Sequence, residues 1–110
     1  MGLAYKILGQ AAPAATTETD LYTSPASTQT VISSISVANR SSTAAASFRI
    51  STSVAGAATT NKDFLAYDVN IAPNGIVVLT VGLTLAATDK VRVYASTANL
   101  SFNLYGSEVS

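Results

Sequence analysis

Apolar and polar residues alternate one by one along much of this chain, which is the period of strands with one covered face. The pattern is sharpest near the C-terminal end, in DKVRVYASTANLSFNLYG from Asp89 to Gly106. There Val91, Val93 and Ala95 fall on one side, and Lys90, Arg92, Tyr94 and Ser96 on the other. Thr97, Ala98 and Asn99 make a small polar turn, after which Leu100, Phe102 and Leu104 alternate with Ser101, Asn103 and Tyr105. The spacing predicts a hairpin with a single apolar face. Burying each large apolar side chain contributes roughly 1.5 to 3 kcal/mol, but two strands have no opposing surface to bury it against, so further strands must lie over them.

The remaining sequence supplies them. Leu3 to Leu8 reads as a first strand with Leu3, Tyr5 and Ile7 on one face, and Gly9 to Thr16, built of small residues around Pro13, reads as a loop or an extended arm. Thr17 to Ser24 is a short strand centred on Leu21 and Tyr22, ended by Ser24-Pro25. In Gln29 to Asn39, Val31, Ile35 and Val37 are expected inside with Ser33 among them, while Ile32, Ser34, Ser36 and Ala38 face away. Ala46, Phe48, Ile50 and Thr52 alternate within a strand from Ala44 to Val54, and Ala55 to Asp63 is a loop. Phe64 to Ile71 is a strand closed by Ala72-Pro73-Asn74-Gly75, where Asn-Gly tolerates the positive φ of a tight turn. Ile76 to Leu83 is apolar on both faces, as in a strand that is central or half covered by a neighbouring subunit. About eight short strands with regular turn signals predict an all-β domain spanning residues 1–110, a single antiparallel β-sandwich or jelly roll, with 9–16 as loop or arm.

Composition changes the picture in one respect. Charged residues make up 11% of the chain, against about 25% in an ordinary soluble domain, and six basic residues balance six acidic ones. Such a surface, made of Ser, Thr, Asn and Ala, favours association with other chains. The basic residues are scattered, so no nucleic-acid partner is expected, and no apolar run is long enough to predict a membrane span. The apolar segment near the start is short and interrupted by Lys6, which argues against an export signal.

Candidate chemistry is sparse. With no histidine and no cysteine, the commonest general base, the commonest metal ligand and the thiol nucleophile are all missing. Asp63, Asp68 and Asp89 sit near expected strand ends, where carboxylates cap turns, and the Asp68-Val69-Asn70 fragment is too short for a calcium loop. No catalytic residue, metal ligand or cofactor is therefore expected. The acceptor patterns at Asn39 and Asn99 are chance matches in a serine-rich chain. The five tyrosines suit the rim of a core or an interface, where the ring is covered and the hydroxyl wet. The candidate interface residues are accordingly Tyr22, Ile32, Tyr67, Val77, Leu79, Tyr94 and Tyr105.

Taken together, "LYTSPAS", "ISSISVANRSSTAAASFRI", "NKDFLAYDVNIAPNGIVVLTVGLTLAATDKVRVYAS" and "NLSFNLYGSE" resemble a family of small virion structural proteins of tailed phages, particularly phages of cyanobacteria. The resemblance covers nearly the whole chain and rests on strands and turns. It implies a β-sandwich subunit on the capsid surface of the virion: a decoration or cement protein that clamps neighbouring major capsid proteins, often as a homotrimer, without catalytic residues. The alternative is a tail fibre, neck or baseplate component of the virion acting as an adhesion or carbohydrate-binding module.

Overall fold

Strands with one apolar face become stable when two sheets close over a shared core. The computed structural model, which describes residues 2–110, is built this way, and Met1, the first residue of the expected domain, lies outside the described residues. Eight strands follow in chain order: β1 (Leu3–Ala11), β2 (Thr19–Thr23), β3 (Gln29–Asn39), β4 (Ala46–Ser53), β5 (Phe64–Ile71), β6 (Ile76–Leu85), β7 (Lys90–Ala95) and β8 (Leu100–Val109). One sheet has the order β1-β8-β3-β6 and the other β2-β7-β4-β5, with every pair antiparallel. The first half of the chain thus pairs with the second, β1 with β8 through β4 with β5, and the doubled ribbon is rolled so that β3 also meets β8 and β4 meets β7. That arrangement is a jelly-roll β-sandwich.

Rolling the ribbon overturns one expectation. β7 and β8 do not form a hairpin: β7 pairs with β2 and β4, and β8 pairs with β1 and β3 in the opposite sheet. The turn between them crosses the core, so Val91, Val93 and Ala95 face Leu100, Phe102 and Leu104 across the sandwich. Alternation reveals which face is covered, but two apolar faces joined by a turn can lie side by side or opposite one another. The Ala72–Gly75 turn also crosses between sheets, with Asn74 at φ 57° and Gly75 N–H donating to the Ala72 carbonyl at 2.9 Å. Only β4 and β5 are both consecutive and paired, joined through two short 3-10 turns at Val54–Gly56 and Asn61–Asp63.

The centre of the core is Phe48 against Phe102, edge to face with ring centroids 6.1 Å apart, surrounded by Ile32, Ile35, Ile50, Leu100 and Leu104. Ile32 is a second correction: it is completely buried and Val31 is exposed, the reverse of the expected register. Ser33 is an extra residue in β3 relative to β8, where pairing jumps from Ile32–Gly106 to Ser34–Tyr105, and this bulge reverses the alternation at that point. Gly106 sits against the same irregularity, where an added Cβ would lie 2.1 Å from the Val31 carbonyl oxygen.

Residues 9–16, expected as a loop or an extended arm, are strand as far as Ala11 and loop over 12–16, and the loop is held against the sandwich. β1 continues to Ala11, Pro13 is buried, and the Thr16 amide donates to the Ala95 carbonyl at 2.8 Å. The small residues mark a close approach instead, since a Cβ on Gly9 would stand 2.3 Å from the Leu21 carbonyl oxygen. β6 is not central either: it is an edge strand, with Val77 and Leu79 packing inward while Ile76 and Val78 are exposed. At the opposite edge, β1 and β8 are closed by reciprocal bonds between the Gly2 and Ser110 backbones, each 2.9 Å.

Phe102→Ala is expected to cost about 3 to 5 kcal/mol in denaturant unfolding, whereas Asn103→Ala, on the outer face, should stay within about 0.5 kcal/mol. Gly106→Ala is expected to destabilise by about 1 to 3 kcal/mol through its clash with β3, and tolerance of that change would contradict the tight strand packing.

Candidate interaction surfaces

The two outer faces differ in chemistry. On the β1-β8-β3-β6 sheet, cross-strand register sets the outward side chains in rows: Leu3, Val109 and Gln29; then Tyr5, Ser107, Val31 and Thr84; then Ile7, Tyr105, Ser34 and Thr80. Two further rows hold Gln10, Asn103, Ser36 and Val78, then Ser101, Ala38 and Ile76. No charged residue occurs in any of them. Six large hydrophobic residues exposed on this face are Leu3, Tyr5, Ile7, Val31, Ile76 and Val78, with Tyr5 the most open at 79%. Five of them lie on the edge strands β1 and β6, while Val31 lies on β3, where the two middle strands otherwise carry mostly hydroxyl and amide side chains. At about 4.8 Å between strands and 3.3 Å per residue, such a face projects roughly 500 to 600 Å² before side-chain relief, close to the ~800 Å² per partner of a standard interface.

Three ion pairs lie on the other sheet. Arg49 lies between two aromatic rings, its guanidinium carbon 4.2 Å from the Tyr67 centroid and 4.4 Å from that of Tyr94, while its Nε donates to Asp68 Oδ1 at 2.7 Å. Asp68 holds the guanidinium above its usual basicity. Asp20 accepts from Lys90 Nζ at 2.7 Å and Arg92 Nε at 3.0 Å, and chiefly the Lys90 bond holds its carboxyl below the ordinary range. Arg92 also donates to the Gly56 and Ala57 carbonyls, fastening the β4–β5 loop to the sheet. Beneath that loop is an open depression of about 810 Å³ whose walls include Glu18, Arg92, Phe64 and Tyr94.

A polar cluster closes one end of the sandwich. The Tyr22 hydroxyl lies 2.9 Å from Thr30 Oγ1 and donates to Glu108, and Glu108 also pairs with Lys6 at 2.7 Å. A bulge after Asp20 turns the adjacent Leu21 and Tyr22 both into the core. Burial, with help from the Glu108 carboxylate, pushes the Tyr22 hydroxyl up to about 12. Lys6, and then Tyr22, hold Glu108 below its ordinary 4.5.

The seven candidate interface residues do not form one patch. Tyr22 and Ile32 are core residues and are withdrawn from the interface, Tyr22 because its hydroxyl is used internally and Ile32 because of the Ser33 bulge. Val77 and Leu79 point inward along the β6 edge, Tyr67 and Tyr94 enclose Arg49, and Tyr105 alone lies on the uncharged face. Leu3, Tyr5 and Ile7 belong to that face; their shared side was legible in the alternation of β1, but nothing local said it would stay uncovered. The carboxylates behave as turn and ion-pair elements: Asp63 accepts from the Thr60 amide at 2.9 Å, which holds its carboxyl below the ordinary carboxylate range, and Asp89 accepts from the Ala55 and Ala86 amides. The Asn39 amide is buried and bonded to the Ala44, Ile71 and Ala72 carbonyls. Among the described residues no group of three or more acidic, histidine or cysteine side chains is arranged to hold a metal ion, and no helix is long and apolar enough to cross a membrane.

Fold and surfaces together define a jelly-roll β-sandwich with one uncharged face and one ion-paired face. No protein-family model, curated protein or solved structure matches this chain.

The polar cluster makes stability depend on pH in two windows. Glu108, with its depressed value, stabilises the fold above about pH 4.5 and loses that contribution as acid protonates it, so the melting-temperature gap between wild type and Glu108→Gln should narrow as pH falls through that range. Tyr22, with its raised value, stabilises below about pH 10 and loses its contribution as pH rises toward 12, so Tyr22→Phe should flatten the alkaline limb of the same melting series.

Proposed function

We propose that this chain is a structural protein of a phage virion that acts by burying surface: a capsid cement or decoration protein that binds the major capsid protein lattice and stabilises the head. The observation that carries the reading is the uncharged outer face of the β1-β8-β3-β6 sheet, with six exposed large hydrophobic residues. A face without charges loses less on desolvation than a charged one, and its serine, threonine and β-branched side chains lose little entropy on being ordered. A protein that binds an assembled shell but not its separate parts stabilises the shell by mass action. Jelly rolls recur in viral coat proteins, which adds fold-level analogy to the sequence resemblance. Self-association on the lattice, as a trimer in the form the resemblance implies, belongs to the same proposal.

A second reading has its own observation. The open depression walled by Tyr94, Phe64, Glu18 and Arg92 sets aromatic rings beside charged groups, a combination that suits a carbohydrate, and jelly rolls also occur in lectins. This is the adhesion module of a tail fibre, neck or baseplate. Against it, the Tyr67 and Tyr94 ring faces turned toward Arg49 are already occupied, which removes part of the surface a sugar would stack on.

Quantitative mass analysis of purified virions is expected to find copies in the hundreds, and Tyr5→Lys is expected to abolish recruitment to the shell without changing the melting temperature. A few copies per particle, with glycan-array binding lost in Tyr94→Ala and retained in Tyr5→Lys, would replace the cement reading with the adhesion one.

A further inference from the structure

The four edge strands are not equally protected against pairing with another chain. β2 has five residues, a bulge and the paired Asp20, and β5 carries Asp68 at a positive φ of 52° and two register shifts. β1 has Lys6 and a bulge at Leu8. Short length, charge and bulges are the devices that keep sheet edges from joining. β6 is ten residues long, with the sequence IVVLTVGLTL, and contains no charge, no proline and no positive φ. Its register with β3 breaks only between Thr80 and Leu83, so Ile76 to Thr80 is a regular run. β6 pairs with β3 alone, and among the described residues the backbone groups on its other edge meet no partner.

We infer that β6 is a self-association edge, pairing antiparallel with β6 of a second copy about a two-fold axis at Val78 to give one continuous eight-stranded sheet. The inference goes beyond the proposed function, since a two-fold pair through β6 is a separate contact from the trimer of that reading, and it is tested without any capsid. The occupant follows from charge. A two-fold antiparallel contact sets each strand against itself, so a charged edge meets its own sign: β1 would bring Lys6 of both copies together, whereas β6 brings none. Centred on Val78, the pairing sets Ile76 against Thr80 and Val77 against Leu79 of the second copy. The exposed Ile76 and Val78 gain cover on the outer face, and the half-buried Val77 and Leu79 gain it along the open inner rim. A contact limited to one strand edge is smaller than a standard interface, so association in the range of ~10 to 100 µM is expected.

Sedimentation equilibrium of the purified chain tests this. The wild-type mass is expected to rise with concentration toward twice that of a single chain, and Val78→Lys and Val78→Glu should each associate about tenfold more weakly. Because Val78 is 56% exposed, either side chain is accommodated in the folded subunit. An equimolar mixture of the two variants should recover wild-type association, since unlike charges then face across the axis. Thr80→Lys, which faces Ile76 and creates no like-charged pair, should weaken association less. A wild type that stays monomeric across this range would overturn the inference. So would an assembly untouched by Val78→Lys but broken by Ile7→Lys on β1, or a mixture that fails to recover.

Discussion

Phe48 and Phe102 meet edge to face in the gap between the sheets, and the rest of the molecule is arranged so that this meeting occurs. Phe48 belongs to β4 and Phe102 to β8, strands that never pair, so their contact exists only if the ribbon has rolled and its two sheets have closed. Each ring is fully buried among branched aliphatic side chains contributed by both sheets. With no disulfide in the chain, the apolar core has to supply what holds the layers together, and hydrogen bonding within each sheet cannot substitute for it. The tight spots follow from the same demand. Gly9 and Gly106 are places where strands approach more closely than any side chain would permit, and the bulge at Ser33 lets β3 follow the curvature of the roll.

Much of this architecture was legible in the sequence because covered faces leave a period of two. Gln29 to Asn39 and Phe64 to Ile71 begin and end where turn residues place them, and Leu100, Phe102 and Leu104 form a core face as their alternation requires. Two kinds of information were not local. A bulge is one residue inserted into the ladder, and at Ser33 it exchanged the sides of Val31 and Ile32 without any signal in composition. Partner choice is also non-local: the turn after Ala95 joins strands in opposite sheets, and the residues of the turn do not distinguish that from a hairpin. The surfaces suffered from the same gap, since an alternating β1 gives two faces and only the assembled sandwich shows that the side bearing Leu3, Tyr5 and Ile7 looks outward.

The distribution of charge gives the two faces different physical characters. On the β2-β7-β4-β5 sheet, charges are paired with one another or engaged with loops: Asp20 with Lys90 and Arg92, Asp68 with Arg49, Asp89 with backbone amides. Exposed pairs of this kind add little to stability, but they keep that side hydrated and hold the β4–β5 loop in one position. The opposite side has no such hydration to give up. The uncharged face lies beside the charge-free edge strand β6, so one half of the molecule carries little charge and the other most of the ion pairs.

The reciprocal bonds between the Gly2 and Ser110 backbones carry a mechanical consequence. β1 and β8 run antiparallel with their outer ends side by side, so tension applied at those ends peels the ladder open one rung at a time, the weak direction of a hydrogen-bonded pair. Load spread over the broad sheet face instead meets the whole core at once. The β1–β8 pair is therefore the mechanically weak seam of the sandwich when it is pulled from those ends.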